Sequence, residues 1–268
     1  MKNKVSVLNQ WAVVTGASKG LGYFYCQFLL SQGYHVLGVS RNSKNILDLV
    51  KQYPHLQVKN YDCDLSYIKN AYQLFEFTKE LNVTVVINNA GYGVWGKFQE
   101  SSLEQELNMI NLNITTLHIL TKLFVQRFAK NNFGRVINIG SMASFTPGPS
   151  FASYYASKAY VWNLGVAINY ELVRAKSKVR VVTICPGPLE TDFWNRSSNG
   201  KGSKEHYSSL LPVLDTQTYA DKSLKKALKV KRKGFLVVGG SNKITKCIMK
   251  ILPFRIVLKM VYNYQSKR

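Results

Sequence analysis

Tyr154 and Lys158 stand four residues apart in FASYYASKAY (151–160). On a helix that spacing puts both side chains on one face, while Tyr155 turns about 100° away. A free tyrosine has a pKa of about 10, and a nearby cation favours the phenolate, so such a pair can pass a proton near neutral pH. The spacing is common by chance, and its meaning depends on what the rest of the chain supplies.

A second group of residues could hold a phosphate. WAVVTG (11–16) reads as a buried strand and runs into TGASKGLG, where Gly16, Gly20 and Gly22 open a helix. Glycines let a backbone come close to a pyrophosphate, and the free N–H groups of a helix N-terminus attract it. The spacing is Gly-x-x-x-Gly-x-Gly. The next apolar run ends in GVSRN, with Ser40, Arg41 and Asn42 where an NAD site would present a carboxylate to the ribose 2′-hydroxyl. Arg41, with Lys19 in the glycine turn, suits a 2′-phosphate, so NADP(H) is favoured over NAD(H).

The elements that must position these residues follow from pattern. Apolar runs at 11–16, 35–40, 56–61, 83–88, 135–140, 179–185 and 235–240 alternate with helical patterns starting near Gly20, Ser66, Ser102, Ser153 and Lys204. That alternation predicts βαβ units: one doubly wound α/β domain of Rossmann type over residues 1–240, with a seven-stranded, mostly parallel sheet covered on both faces. Residues 241–268 form a basic C-terminal extension. No composition break or internal repeat marks a second domain.

Taken in order, these motifs resemble the short-chain dehydrogenase/reductase family from about Gln10 to Phe193. The resemblance implies that Gly16, Ser18, Lys19, Gly20, Leu21 and Gly22 form a cofactor loop. It sets Asp64 and Leu65 of CDLS at the adenine ring and Asn88 of NNAG beside the adenosine ribose. Pro186, Gly187 and Thr191 of PGPLET fall at the nicotinamide carboxamide, with Thr191 holding it. Ser141, 13 residues before Tyr154, matches the catalytic serine, and Asn111 in MINLNI the helix-interrupting catalytic asparagine. The pattern is not followed everywhere: Thr84 replaces an often acidic residue, and Gly140 a frequent second serine.

The implied reaction is hydride transfer between a nicotinamide and a carbonyl or carbinol carbon. Tyr154 supplies the proton, Ser141 polarises the carbonyl, Lys158 lowers the phenol pKa and binds the ribose, and Asn111 holds a water linking Lys158 to solvent. A nucleotide sensor on the same fold is the alternative, although it has no need of a proton donor. Family members are often dimers or tetramers, which makes a homo-oligomer an expectation by analogy. Aromatic and apolar residues (Tyr92, Trp95, Met142, Phe145, Phe193, Trp194, and Tyr207, Leu210 and Leu211 of the variable 191–230 region) suit a lipid-like or aromatic carbonyl compound. They equally suit plain packing.

Composition limits the remainder. The 4 cysteines are far apart and the 4 histidines do not cluster, which argues for a reducing, cytoplasmic compartment and no metal site. No apolar run reaches membrane-spanning length, and the N-terminus lacks a signal-peptide core. Of the +22 net charge, 16 Lys/Arg against 3 Asp/Glu fall between Ser197 and Arg268. No nucleic-acid-binding motif accompanies that charge. In the tail, Lys243, Lys246 and Lys250 recur among Ile244, Ile248, Ile251 and Leu252, and Arg255 and Lys259 follow Pro253. Two short basic amphipathic helices of this kind suit an anionic membrane surface, a second subunit or the parent domain.

Overall fold

The computed structural model describes residues 9–197 and 213–266. Strand β1 (Trp11–Thr15) alternates in the way a strand covered on both faces requires. Ala12 and Val14 pack into one apolar layer, and Trp11 and Val13 into the other. The same alternation recurs in β2 (His35–Ser40), β4 (Val83–Asn88), β5 (Arg135–Ile139) and β6 (Arg180–Ile184). With β3 (Val58–Asp62) and β7 (Phe235–Leu236) they form a seven-stranded sheet in the order 3-2-1-4-5-6-7, every pairing parallel.

One face of the sheet carries α1 (Gly20–Ser31) and α7 (Thr216–Ala227). The other carries α2 (Ile68–Phe77), α4 (Leu117–Asn131) and α5 (Ala152–Arg174). In α4, Leu117, Leu120, Thr121, Phe124 and Phe128 make the buried stripe, at the i, i+3, i+4, i+7 spacing of a one-sided helix. Short α3 (Leu103–Ile110), capped by the Ser102 hydroxyl, joins α4 through a π-helical turn, Asn111–Thr116. A 3-10 helix (Lys44–Gln52), short α6 (Phe193–Ser197), and α8 (Gly240–Ile251) and α9 (Phe254–Ser266) complete the described elements.

Most strand ends fall within a residue of the sequence pattern, and the two larger departures have local causes. The Leu56 N–H closes a turn on the Tyr53 carbonyl, so β3 starts at Val58. At the other end β7 pairs only over Phe235–Leu236, and Gly239, with φ +100°, turns the chain into α8 from Gly240, inside the expected 235–240 strand. The helix expected near Lys204, with Tyr207, Leu210 and Leu211, lies outside the described residues.

Chain order reverses between β1 and β4, and there the loops at the carboxyl ends of the strands diverge to leave a crevice. Helix α5 carries Tyr154 and Lys158 to its edge and packs closely on β6 at Gly165. A Cβ there would stand 2.2 Å from Thr183 Oγ1. Gly165→Val is therefore expected to cost about 1–3 kcal/mol of stability by overpacking, seen as a lower Tm in thermal unfolding.

Candidate active site

The crevice is a cleft of about 1080 Å³ that runs from the glycine turn to α8 and α9. At its near end Gly16 (φ +67°) and Gly20 (φ +59°) adopt backbone conformations that side chains rarely tolerate. A Cβ on Gly16 would also meet Asn89 Nδ2 at 2.8 Å. Asn89 holds the turn in place, its Nδ2 donating to the carbonyls of Thr15 (2.9 Å) and Gly16 (3.2 Å). Gly16, Ser18, Lys19, Gly20 and Leu21 line the cleft. Gly22 does not: it sits behind the turn, where a Cβ would stand 2.2 Å from the Gly16 carbonyl oxygen. Its part is to let α1 pack against the turn, not to touch a ligand.

Asp64 and Leu65 line the same cleft, with the Asp64 carboxylate accepting the Ser66 N–H at 2.9 Å. Arg41 faces it, and so does Arg196 of α6, which motif reading did not single out. Burial lowers the Arg196 pKa, Asp192 opposes the shift and nearby Arg41 adds to it. Lys19, expected to be a second phosphate-binding cation, is instead paired with Asp192 at 2.7 Å, an exposed bridge between the glycine turn and the loop before α6. Pro186, Gly187 and Thr191 line the cleft beside that loop.

Asn88 is a correction. Neighbouring residues at a strand end point to opposite sides, and here Asn89 takes the cleft while Asn88 points into the core. Its Nδ2 donates to Asn138 Oδ1 (2.9 Å) and Thr121 Oγ1 (3.2 Å), tying β4 to β5 and α4. Asn88 is 3% exposed and touches no ligand space.

Beyond the turn, Ser141, Tyr154 and Lys158 converge on one stretch of wall. Ser141 caps a 3-10 turn, Met142–Phe145, its hydroxyl oxygen accepting the Ala143 N–H at 3.1 Å, which leaves the hydroxyl proton to donate elsewhere. Ser144 ties this turn to α5: it accepts the Ser141 N–H (3.2 Å) and donates to the Lys158 carbonyl (2.8 Å). Lys158 Nζ donates to the Ile139 carbonyl at 2.9 Å and lies 5.7 Å from the centre of the Tyr154 ring. Tyr154 stacks on Phe151 (4.5 Å, 20°) and is flanked by Phe193. Tyr155 packs over Gly148, and its hydroxyl accepts from Gln265 Nε2 at 2.8 Å.

The asparagine packed against the wall of the cleft is Asn113, not Asn111. Residues two apart on a helix project to nearly opposite sides, so only one of the pair can face inward, and it is Asn113, 1% exposed. Asn113 Nδ2 donates to the Tyr92 carbonyl (2.9 Å) and Ser157 Oγ (3.2 Å), and its Oδ1 accepts the Tyr92 N–H (3.3 Å). Asn113 and Lys158 both press on Gly91, where a Cβ would lie 2.8 Å from Asn113 Oδ1 and 3.5 Å from Lys158 Nζ. Asn111 lies at the start of the π turn and is partly exposed; neither asparagine lines the cleft itself, and Asn113 sits directly behind its Gly91 and Tyr92 wall.

Of the expected pocket residues, Tyr92, Met142, Phe193 and Trp194 line the cleft. Trp95 packs beneath it, and Phe145 meets Trp162 edge-on and Phe235 at a tilt. The far wall is built by the tail: Thr245, Ile248, Met249 and Leu252 of α8 and its end, with Val257, Met260, Val261, Tyr264 and Gln265 of α9. Residues 241–266 are therefore part of the cleft rather than an appendage.

The cradle fits a dinucleotide. Side-chain-free glycines with left-handed φ at a helix N-terminus suit a pyrophosphate, and the arginines suit a further phosphate. Among the described residues no cluster could hold a metal ion.

Comparison with known proteins bears on the family and the fold. The family model for short chain dehydrogenases matches residues 10–202. An uncharacterized oxidoreductase of Schizosaccharomyces pombe is 32% identical over 197 residues, 72% of this chain and 65% of that protein. The match thus spans just under two thirds of that relative's length. Over 96% of this chain and 98% of its own, an NADPH-dependent 3-dehydrocapnine reductase of Ornithobacterium rhinotracheale is 26% identical. Among solved structures, a 7beta-hydroxysteroid dehydrogenase superposes with TM-score 0.80 at 23% identity, covering 94% of this chain and 96% of its own. A Sphingobium yanoikuyae short-chain dehydrogenase in complex with NADPH gives 0.74 at 24% identity, covering 91% and 96%.

Burial lowers the Lys158 pKa from 10.5 to about 8, with the nearby Cys185 thiol opposing. The ammonium remains mainly protonated at pH 7. Below pH 8 it is charged in both folded and unfolded chains and its full desolvation cost applies; between about 8 and 10.5 the folded chain has shed the proton that the unfolded chain keeps, so stability from this group rises with pH. Lys158→Met is expected to raise Tm at pH 7, and its advantage over the unaltered protein should shrink as pH climbs to 10.5. Parallel thermal scans across that range check it.

Proposed function

The chain belongs to the short-chain dehydrogenase family of oxidoreductases, and from that membership we propose that it transfers a hydride between NADP(H) and the carbonyl or secondary alcohol group of an apolar substrate. The observation that carries the reading is the convergence of Ser141, Tyr154 and Lys158 on the wall of a cleft whose near end holds the glycine turn and Arg41. A bound nicotinamide supplies or accepts the hydride.

During reduction negative charge gathers on the substrate oxygen, so the chain must present donors there. In this reading Tyr154 gives the proton and the free hydrogen of the Ser141 hydroxyl orients the same oxygen. Lys158, still cationic at pH 7, lowers the pKa of the phenol beside it. Asn113, against Gly91 with Lys158, takes the part that sequence resemblance assigned to Asn111. It also clamps the loop after β4 by its paired bonds to Tyr92.

Preference for NADP(H) is supported by Arg41 and Arg196 facing one cleft, and by the NADPH named for one relative and for one structural neighbour. An apolar substrate is supported by the Phe151, Phe193 and Trp194 rings opposite Met249, Leu252 and Val261.

Turnover is to be followed by NADPH absorbance against a panel of ketones, diketones, quinones and ketoacyl lipids. Tyr154→Phe is expected to lower kcat about 10²–10⁴-fold while NADPH affinity, read by fluorescence, stays within about threefold. Tyr155→Phe should retain most turnover. An active Tyr154→Phe protein refutes the assignment. Replacing Arg41 by Ala removes a charge-assisted bond worth about 1.5–3 kcal/mol, so the KM for NADPH should rise at least about tenfold with that for NADH little changed; equal effects on both would remove the 2′-phosphate role.

A further inference from the structure

Helices α8 and α9 have two unlike sides. Inward, Val257, Val261 and Gln265 are buried, and Met249, Leu252 and Tyr264 close the cleft. Outward, Ile244, Ile248 and Ile251 stand at i, i+4 and i+7 on α8, and Ile256 and Met260 at i and i+4 on α9, with Phe254 at the corner between them. Ile251 is 75% exposed, Ile244 62% and Phe254 60%. Apolar side chains exposed this far, and in register, mark a surface that meets a partner.

Charge identifies the partner. Lys243, Lys250, Arg255 and Lys259 are exposed along the same two helices. Lys246 is excepted, because its ammonium lies over the Phe145 and Phe235 rings at 4.9 and 4.1 Å. The last acidic residue of the chain is Asp221, so nothing on α8 or α9 offsets these cations. A second copy seated on this face would bring like charges together, and a nucleic acid would leave the isoleucines and Phe254 without a use. Apolar residues interleaved with cations that have no acidic neighbour on either helix fit the boundary between headgroups and acyl chains. Among the described residues no helix is long and apolar enough to cross a membrane.

We propose that the outer face of α8 and α9 docks on an anionic lipid surface. Ile248 and Met260 belong to that face and also line the cleft, both about 43% exposed, so docking sets the rim of the cleft against the bilayer. The apolar substrate read above gives this orientation a use, but the docking itself requires no turnover and is tested without it.

The test is co-sedimentation with vesicles of phosphatidylcholine alone or mixed with phosphatidylserine, at low and physiological salt. The protein is expected to bind the mixed vesicles at least about tenfold more strongly, and less so as salt rises. Ile244→Asp with Ile251→Asp, and separately Lys243→Glu with Lys250→Glu, should each lower that binding about tenfold or more while NADPH binding is unchanged. Cys247, exposed on α8, gives a direct reading of contact. Labelled there with an environment-sensitive fluorophore in a Cys63→Ser background, the protein should show a blue shift on adding mixed vesicles. No sedimentation at low salt, equal binding to both vesicle types, or binding without a change at Cys247 overturns the proposal. So does a dimer that the Ile244/Ile251 variant turns into monomer with vesicle binding intact, which makes the face a subunit contact. Loss of NADPH binding by the unaltered protein bears on the proposed reaction alone.

Discussion

Burying one ammonium is the constraint on which the site depends. A lysine withdrawn from water keeps its charge near neutral pH only if the surrounding structure supplies polar partners that do not move. Lys158 has the Ile139 carbonyl at the end of β5, and its own carbonyl receives the Ser144 hydroxyl. These two bonds fix α5 against the strand end from which Ser141 emerges. Because α5 must come close enough for both, Gly165 faces β6 without a side chain, and Gly91 leaves room for Lys158 and Asn113 on the opposite side.

The polar core follows the same logic. Asn88, Asn138 and Thr121 form a hydrogen-bonded group joining β4, β5 and α4, and Asn89 and Thr15 hold the glycine turn from beneath. Amides buried among strands are costly to leave unpaired, and the bonds these make, though Asn88 Oδ1 and Asn138 Nδ2 have no partner among the described residues, favour one register. Asn113 does this for the loop after β4. The π turn that carries it departs from regular helix where an amide must face inward between Tyr92 and Ser157.

The cleft is a composite. Its cofactor-facing half is made by loops at the ends of parallel strands, while its outer half is closed by two helices that come last in the chain. Those helices rest on the domain by an inner stripe of buried side chains, by the Asn242 amide donating to the Val238 carbonyl, by Lys246 over the Phe145 and Phe235 rings, and by a hydrogen bond from Gln265 to Tyr155. Tyr155, next to the proposed proton donor, joins the two halves of the cleft wall through that bond.

The sequence by itself determined the architecture and singled out the residue types that could bear chemistry. Strand periodicity, the left-handed glycines and the four-residue step from Tyr154 to Lys158 are local properties, and local backbone geometry dictates what they do. Only the tertiary structure decided between Asn111 and Asn113 and between Asn88 and Asn89, because neighbouring amides of one type differ only in the direction the folded backbone gives them. It also put Asp192 beside Lys19, Arg196 beside Arg41, and the two tail helices across the cleft. Each of these joins residues far apart in the chain, through contacts that no repeat or spacing encodes and that exist only once the sheet has brought its ends together.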